Sequence, residues 1–337
     1  MTVTAMMASS PKGELTKNDL NLGALRDTQV EVAVKYCGLC HSDLSMLNND
    51  WGLTRYPFVP GHEIVGTITA TGDHVKHLKV GQTVGIGWFS GSCNTCPQCV
   101  GGDHNLCRTA EGVIVGRPGG FATHVRADAT WAVPLPAGLD IASAGPLFCG
   151  GITVFNPIMQ FGVLPTHKVG VVGIGGLGHM ALQFLNKWGC EVTAFTSSPA
   201  KAAEAKSLGA HHTVTSTDDK AIAAIAGTLD FILVTVNVTL NWGAYFAALA
   251  PKGRLHVVGA VGEPIPAAAF QLLSSQLSLS GSPLGSPATT AKMLDFCGRH
   301  SIKPVTEMFK MSDANKALKH LHDGKARYRI VLENDLA

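Results

Sequence analysis

Charge is what this chain has least of. Asp, Glu, Lys and Arg make up 15% of its 337 residues, against roughly a quarter in average soluble proteins. Net charge is +2 with no long basic run, so the electrostatic footprint of a nucleic-acid binder is missing. The opening stretch "MTVTAMMASSPKGEL" has neither the basic start nor the apolar core of a secretory signal. Internal repeats and low-complexity linkers are lacking too. Two charge-poor stretches, 169–186 and 231–251, approach membrane-spanning length. The first is broken by a glycine cluster and the second by Thr235, Asn237, Thr239 and Asn241, which suits buried strands followed by helices better than a bilayer. These absences predict a soluble cytoplasmic protein with no nucleic-acid or membrane partner, whose thiols stay reduced.

What is present is apolar mass, 46% of residues, together with 38 glycines and nine cysteines. The length suits two domains. Four of the cysteines crowd into "SCNTCPQCVGGDHNLC": Cys93, Cys96, Cys99 and Cys107. Two overlapping C-x-x-C pairs and a returning fourth thiolate satisfy tetrahedral zinc completely and leave no position for a substrate. A disulfide or redox C-x-x-C is the alternative, disfavoured in a reducing compartment. A closed site of this kind is a staple, so the chemistry has to lie elsewhere.

The other cysteines are Cys37, Cys40, Cys149, Cys190 and Cys297. "CGLCHSDLS" sets Cys40 beside Ser42 and Asp43, "VPGHEIVG" offers His62 and Glu63, and "AGPLFCGG" offers Cys149. Two cysteines and a histidine form a ligand set for catalytic zinc with one open position. Singly, each has a plainer reading: a buried cysteine is usually a small hydrophobe, as expected of Cys190 and Cys297. Spacing alone does not bring the three together.

"HKVGVVGIGGLGHMALQFLNKWG" reads as a strand over Val169 to Val172, a glycine turn, and a helix from about Leu177. Gly173, Gly175 and Gly178 fit the G-x-G-x-x-G turn that lets a backbone approach a pyrophosphate at a helix N-terminus. A strand before and a helix after supply the context this motif needs. Alternation continues through "HHTVT", "DDKAIAAIA", "DFILVTV", "LNWGAYFAALA" and "RLHVVGA", which predicts a doubly wound parallel sheet. Residues 1–146 differ, with short β-like runs such as "VEVAVKY", "EIVGTITATG", "QTVGIGW" and "FATHVRA". Helices are expected at 287–299 and 312–323, with a closing strand "RYRIVLE".

Five phrases, "CGLCHSDLSMLNNDWG", "YPFVPGHEIVG", "AGPLFCGGITVF", "GIGGLGHMALQFL" and "DGKARYRIVL", carry a resemblance that runs essentially end to end. The chain resembles the zinc-dependent medium-chain dehydrogenases/reductases. It is most similar to their cinnamyl-alcohol-dehydrogenase-like branch, especially bacterial NADPH-dependent aldehyde reductases of broad range. The resemblance implies an α/β fold: a GroES-like β-rich catalytic domain (1–150 and 287–337) and a Rossmann domain (151–286). It implies Cys40 rather than Cys37 as ligand, joined by His62 and Cys149 at a catalytic zinc, with Cys93, Cys96, Cys99 and Cys107 at a structural zinc. Glu63 stands behind the metal, Asp43 orients the histidine, Ser42 passes the proton, and His41 neighbours the pyrophosphate. Many relatives relay that proton through a histidine where this chain has Ser45. By position in the family, Trp51 and Trp88 flank the pocket mouth and point to apolar aldehydes; the alternative is that they pack in the core. Relatives are usually homodimers or homotetramers.

Cofactor choice turns on one position. An NAD site places Asp or Glu about 20 residues after the glycines, and here that place holds Thr196. Ser197, Ser198 and Lys201 can hold a 2′-phosphate, although the serines can equally cap the next helix. With Gly176, Leu177 and Thr235 they complete the expected NADP(H) contacts. The expected reaction is hydride transfer between NADPH and aldehydes. Reduction of activated C=C bonds and a non-catalytic nucleotide-binding role are the alternatives, each of which a damaged ligand set would favour. The role of Cys37 stays open.

Overall fold

A computed structural model of the chain describes residues 1–197 and 199–336. It comprises two compact units, Met1–Ile152 with Gly285–Ala337, and Thr153–Leu284. The second is built on six strands: β1 (Lys168–Val172), β2 (Glu191–Thr196), β3 (His212–Thr215), β4 (Leu229–Val234), β5 (Leu249–Val257) and β6 (Ser278–Gly281). Their order is β3-β2-β1-β4-β5-β6, and every pair is parallel. Order reverses between β1 and β4, the place where doubly wound sheets bind dinucleotides. Both strands are near-continuous apolar runs, as the middle of a parallel sheet requires. Helix α1 (Gly178–Trp188) follows β1 and ends at Gly189 in the left-handed region.

The first unit holds a seven-stranded sheet with Thr306–Lys310, Arg329–Glu333, Gln29–Leu39, Glu63–Thr71, Thr83–Ile86 and Val133–Pro134 side by side; His124–Asp128 also pairs with Gln29–Leu39. The late strand Arg329–Glu333 is antiparallel to the early one, Ile330 opposite Leu39. Its core interlocks both chain segments: Val30, Val32, Ile64 and Phe121 pack with Leu318, Ile330 and Leu332.

Several elements carry little sequence signal. The strand Thr16–Asn21, "TKNDLN", is almost wholly exposed and polar, so no alternation marks it. Helix Gly150–Gln160 opens on two glycines and contains Pro157, both unfavourable locally, yet burial of its apolar residues prevails. Among the described residues, no helix is long and apolar enough to cross a membrane.

One buried ion pair ties the first unit's edge to its centre. Arg126 Nη2 and Nε donate to Glu31 Oε2 at 2.7 and 3.0 Å, and its Nη1 donates to the carbonyls of Leu22 and Gly23. Removing the cation alone leaves a buried carboxylate unpaired. Arg126→Met is therefore expected to cost about 3–5 kcal/mol in urea unfolding, and Glu31→Gln added to it should recover part of the loss.

Candidate active site and metal centres

Cys40 ends the long strand Gln29–Leu39 and caps the helix His41–Asn48. Asp43, in that helix's first turn, accepts from Cys40 N (3.0 Å) and Gly61 N (2.8 Å) and lies 2.9 Å from His62 Nδ1. The side chains of Asp43 and His62 are fully buried. With Nδ1 engaged by the carboxylate, the imidazole presents Nε2, which is buried without a hydrogen-bond partner among the described residues. Cys149, at the end of the turn Gly145–Phe148, completes a group in which ligand atoms of Cys40, His62, Glu63 and Cys149 all lie within 4.8 Å of one another.

The electrostatics suit a cation. The hydrogen bond from Cys149 holds the Cys40 thiol well below its usual range and correspondingly raises Cys149. Burial opposes charge on His62, but the Asp43 carboxylate and the Cys40 sulfur together outweigh it and raise the imidazole. Burial also pushes Glu63 up to about 7, against the pull of Arg329. Arg329 pairs with Glu63 Oε1, while Oε2 has no hydrogen-bond partner among the described residues. Two sulfurs, an orphan imidazole nitrogen and a spare carboxylate oxygen form a donor set that fits zinc. Arg329 was not singled out in the sequence; the local signal is a cation just before the apolar run Ile330, Val331 and Leu332.

Trp88 stands edge-on to His62 at 5.1 Å, and Trp51 edge-on to Trp88 at 6.1 Å. Trp51 is 42% exposed, so the indoles form an apolar path from the surface to the cluster. Ser42, the residue before Asp43 in that helix, is half-buried, and His41 is exposed. Cys37 is fully buried beside the cluster as a thiol raised by burial and by Asp43.

The second thiol group is Cys93, Cys96, Cys99 and Cys107, again within 4.8 Å. Cys93 Sγ lies 3.9 Å from Cys99 Sγ and 3.6 Å from Cys107 Sγ. A disulfide brings sulfurs to about 2.05 Å, whereas zinc at about 2.3 Å from each thiolate sets tetrahedral edges near 3.8 Å. The cysteines are free, and their spacing is that of a shared ion.

In the second unit Gly173 turns with φ +89°, and a Cβ on Gly178 would sit 1.8 Å from Gly173 O, whereas one on Gly175 would meet nothing within 4 Å. The turn is tight below and open above, which fits an approaching phosphate. Thr235 works from beneath: its hydroxyl lies 2.9 Å from the carbonyls of both Val172 and Gly173 and holds the turn. Gly176 and Leu177 are half-buried between the open glycine and α1. A cleft of about 340 Å³ opens at the strand ends, lined by Gly173, Thr196, Ser197, Lys201, Ser216 and Thr217 among others, with no carboxylate in its described lining. Ser198 lies outside the described residues. Ser216 and Thr217 were missed in the sequence, since they follow the short β3 with no motif to mark them.

Known proteins match this architecture along the whole chain. Residues 26–137 match the alcohol dehydrogenase GroES-like domain, and 176–299 match the zinc-binding dehydrogenase family. The chain is 55% identical to aldehyde reductase AdhA of Synechocystis sp., over 98% of this chain and 99% of that one. It is 38% identical to probable cinnamyl alcohol dehydrogenase 8B of Oryza sativa subsp. japonica, over 97% of this chain and 77% of the relative. Among solved structures, a Sorghum bicolor cinnamyl alcohol dehydrogenase superposes with a TM-score of 0.93 at 35% identity, covering 99% of this chain and 98% of that one. A Helicobacter pylori CAD complexed with NADP(H) gives 0.90 at 28% identity, with the same coverage. The chain belongs to the zinc-binding alcohol dehydrogenase family, the medium-chain dehydrogenases/reductases. Within that family it falls among the cinnamyl-alcohol-dehydrogenase-like enzymes.

A closed four-thiolate site contributes folding energy, whereas an open site contributes chemistry. Cys99→Ser is therefore expected to lower both bound zinc and the thermal midpoint, read by elemental analysis and calorimetry. Full zinc content with unchanged unfolding would contradict the shared-ion geometry.

Proposed function

We propose that this protein reduces apolar aldehydes to primary alcohols with NADPH, reversibly, at a zinc held by Cys40, His62 and Cys149. The observation that carries the proposal is the buried His62 Nε2, which among the described residues has no hydrogen-bond partner and lies beside two thiols while Asp43 occupies Nδ1. A second zinc at Cys93, Cys96, Cys99 and Cys107 is read as structural.

When bound, zinc supplies Lewis acidity at the carbonyl oxygen and NADPH supplies the hydride. The chain's own residues do the rest. Asp43 fixes the imidazole tautomer and aims Nε2. Glu63, balanced by Arg329, keeps a carboxylate oxygen in reserve beside the ligands. Ser42 Oγ hands a proton to the nascent alkoxide oxygen, so that aldehyde, hydride and proton sum to alcohol. No imidazole stands at Ser45 to carry the replacement proton outward. Trp51 and Trp88 exclude water and favour apolar substrates.

NADPH rather than NADH is supported by Thr196 at the ribose position and by Ser197 and Lys201 on the same cleft wall. The 2′-phosphate meets hydroxyls and a cation there, without a carboxylate to repel it. His41 is read as a pyrophosphate neighbour, and Ser198 as a further donor. A cytoplasmic location and a homodimer or homotetramer complete the reading. Self-association is supported by the open edge of β6 and by the exposure of Phe270 and Leu273, 81% and 75%, on the helix that precedes it.

Two experiments test this. Cys149→Ala is expected to lower aldehyde turnover roughly a thousandfold while NADPH binding persists; undiminished reduction by a variant shown to lack the catalytic metal would refute the ligand set. Thr196→Asp should shift relative kcat/KM from NADPH towards NADH by roughly a hundredfold, and Lys201→Ala should harm NADPH alone. If the unmodified enzyme uses NADH equally well, the cofactor assignment fails.

A further inference from the structure

The edge strand β6 is four residues long and has one neighbour, β5. Its ladder runs from Arg254 opposite Ser278 to Val257 opposite Gly281, with His256 opposite Ser280. Alternate side chains share a face, so Ser280 and Ser282 lie on the same side of the strand's path. His256 reaches both. Its Nδ1 is 2.9 Å from Ser280 Oγ and its Nε2 is 3.0 Å from Ser282 Oγ. The first bond lies within the ladder, and the second extends past its last pair.

The imidazole is fully buried. Phe231 stacks on it at 5.9 Å with 23° between planes, and Phe161 lies at 4.8 Å, with the Arg254 guanidinium 4.4 Å from the Phe161 ring centre. Burial, aided by the Arg254 charge, pushes His256 down to about 4. At neutral pH the ring is uncharged and has one N–H and one lone pair, both engaged by hydroxyls. An apolar residue would pack in this strand without that desolvation cost, so the imidazole's contribution lies in what it holds.

Doubly wound sheets place one mononucleotide over each half. The cleft at the ends of β1 and β2, with Thr196 and Lys201, takes the adenosine side, which leaves the nicotinamide side to the carboxyl ends of β4, β5 and β6. The end of β5 is secured to β4, since Val258 N and Gly259 N both donate to Val234 O. The end of β6 is secured through His256. We propose that His256 is a positioning residue for the nicotinamide half of the cofactor, acting by pinning Ser282, the first residue past β6, to β5. The proposal rests on the NADPH reading given above.

The test compares two ligands by calorimetric titration: NADPH, and adenosine 2′,5′-bisphosphate, which carries the adenosine half alone. His256→Val is expected to weaken NADPH about tenfold while leaving the bisphosphate within about twofold. His256→Gln, which keeps a donor and an acceptor, should recover part of the NADPH affinity. Ser282→Ala should mimic His256→Val, and the double variant should be no worse than either single one. Ser280→Ala should leave NADPH affinity nearly unchanged. Equal weakening of both ligands, unchanged NADPH affinity, or independent effects of His256 and Ser282 would each overturn the proposal. If His256→Val does not fold, His256→Gln and the two serine variants decide the matter on the same criteria. A wild-type protein that does not bind NADPH would overturn the underlying cofactor reading as well, which separates that failure from this one.

Discussion

A single buried carboxylate organises the first unit's chemistry. Asp43 accepts from the amides of Cys40 and Gly61 and holds His62 Nδ1. It thereby joins the end of one strand, the first turn of a helix and the loop leading into the next strand. A carboxylate in this setting needs several donors to offset the loss of water. The same donors fix where Cys40 and His62 point. Fold and site therefore share one set of hydrogen bonds, and a change at Asp43 disturbs both. Neither can be altered alone.

Local features were the legible ones. The stretch from His167 to Gly189 announces strand, turn and helix because β-branched residues, glycines and helical spacing follow within a few positions. Cys93, Cys96, Cys99 and Cys107 are similarly compact in sequence. Cys40, His62 and Cys149 are not. Their spacing is silent about convergence, and only longer phrases around them pointed to one family. Arg329 was out of reach altogether, since it meets Glu63 across 266 positions of chain. Polar edge strands such as Thr16–Asn21 escaped for another reason: an exposed edge has no apolar face to impose a period of two.

The two units also manage polarity differently. In the first, buried charge is paired: Glu31 with Arg126, and Glu63 with Arg329. Such pairs cost desolvation and contribute position more than stability. In the second, the cleft avoids fixed negative charge and relies on hydroxyls, backbone amides and Lys201. A donor-rich surface over a helix N-terminus suits an anionic guest. The contrast matches the chemistry proposed for each: acceptors suit a cation, and donors suit phosphates.

The strand Arg329–Glu333 has a consequence for how the protein is made. It closes a sheet whose other principal strands, Gln29–Leu39 and Glu63–Thr71, are synthesised far earlier. The intervening unit, Thr153–Leu284, is continuous in sequence and can condense while translation proceeds. The sheet around Cys40 and His62 must instead wait with an open edge, and the Glu63 carboxylate waits without its counterion, until residue 329 leaves the ribosome. The nucleotide-type unit is therefore complete in sequence before Arg329 is made, and through that interval the thiol-and-histidine cluster stands without the strand that pairs beside Cys40 and without the cation that faces Glu63.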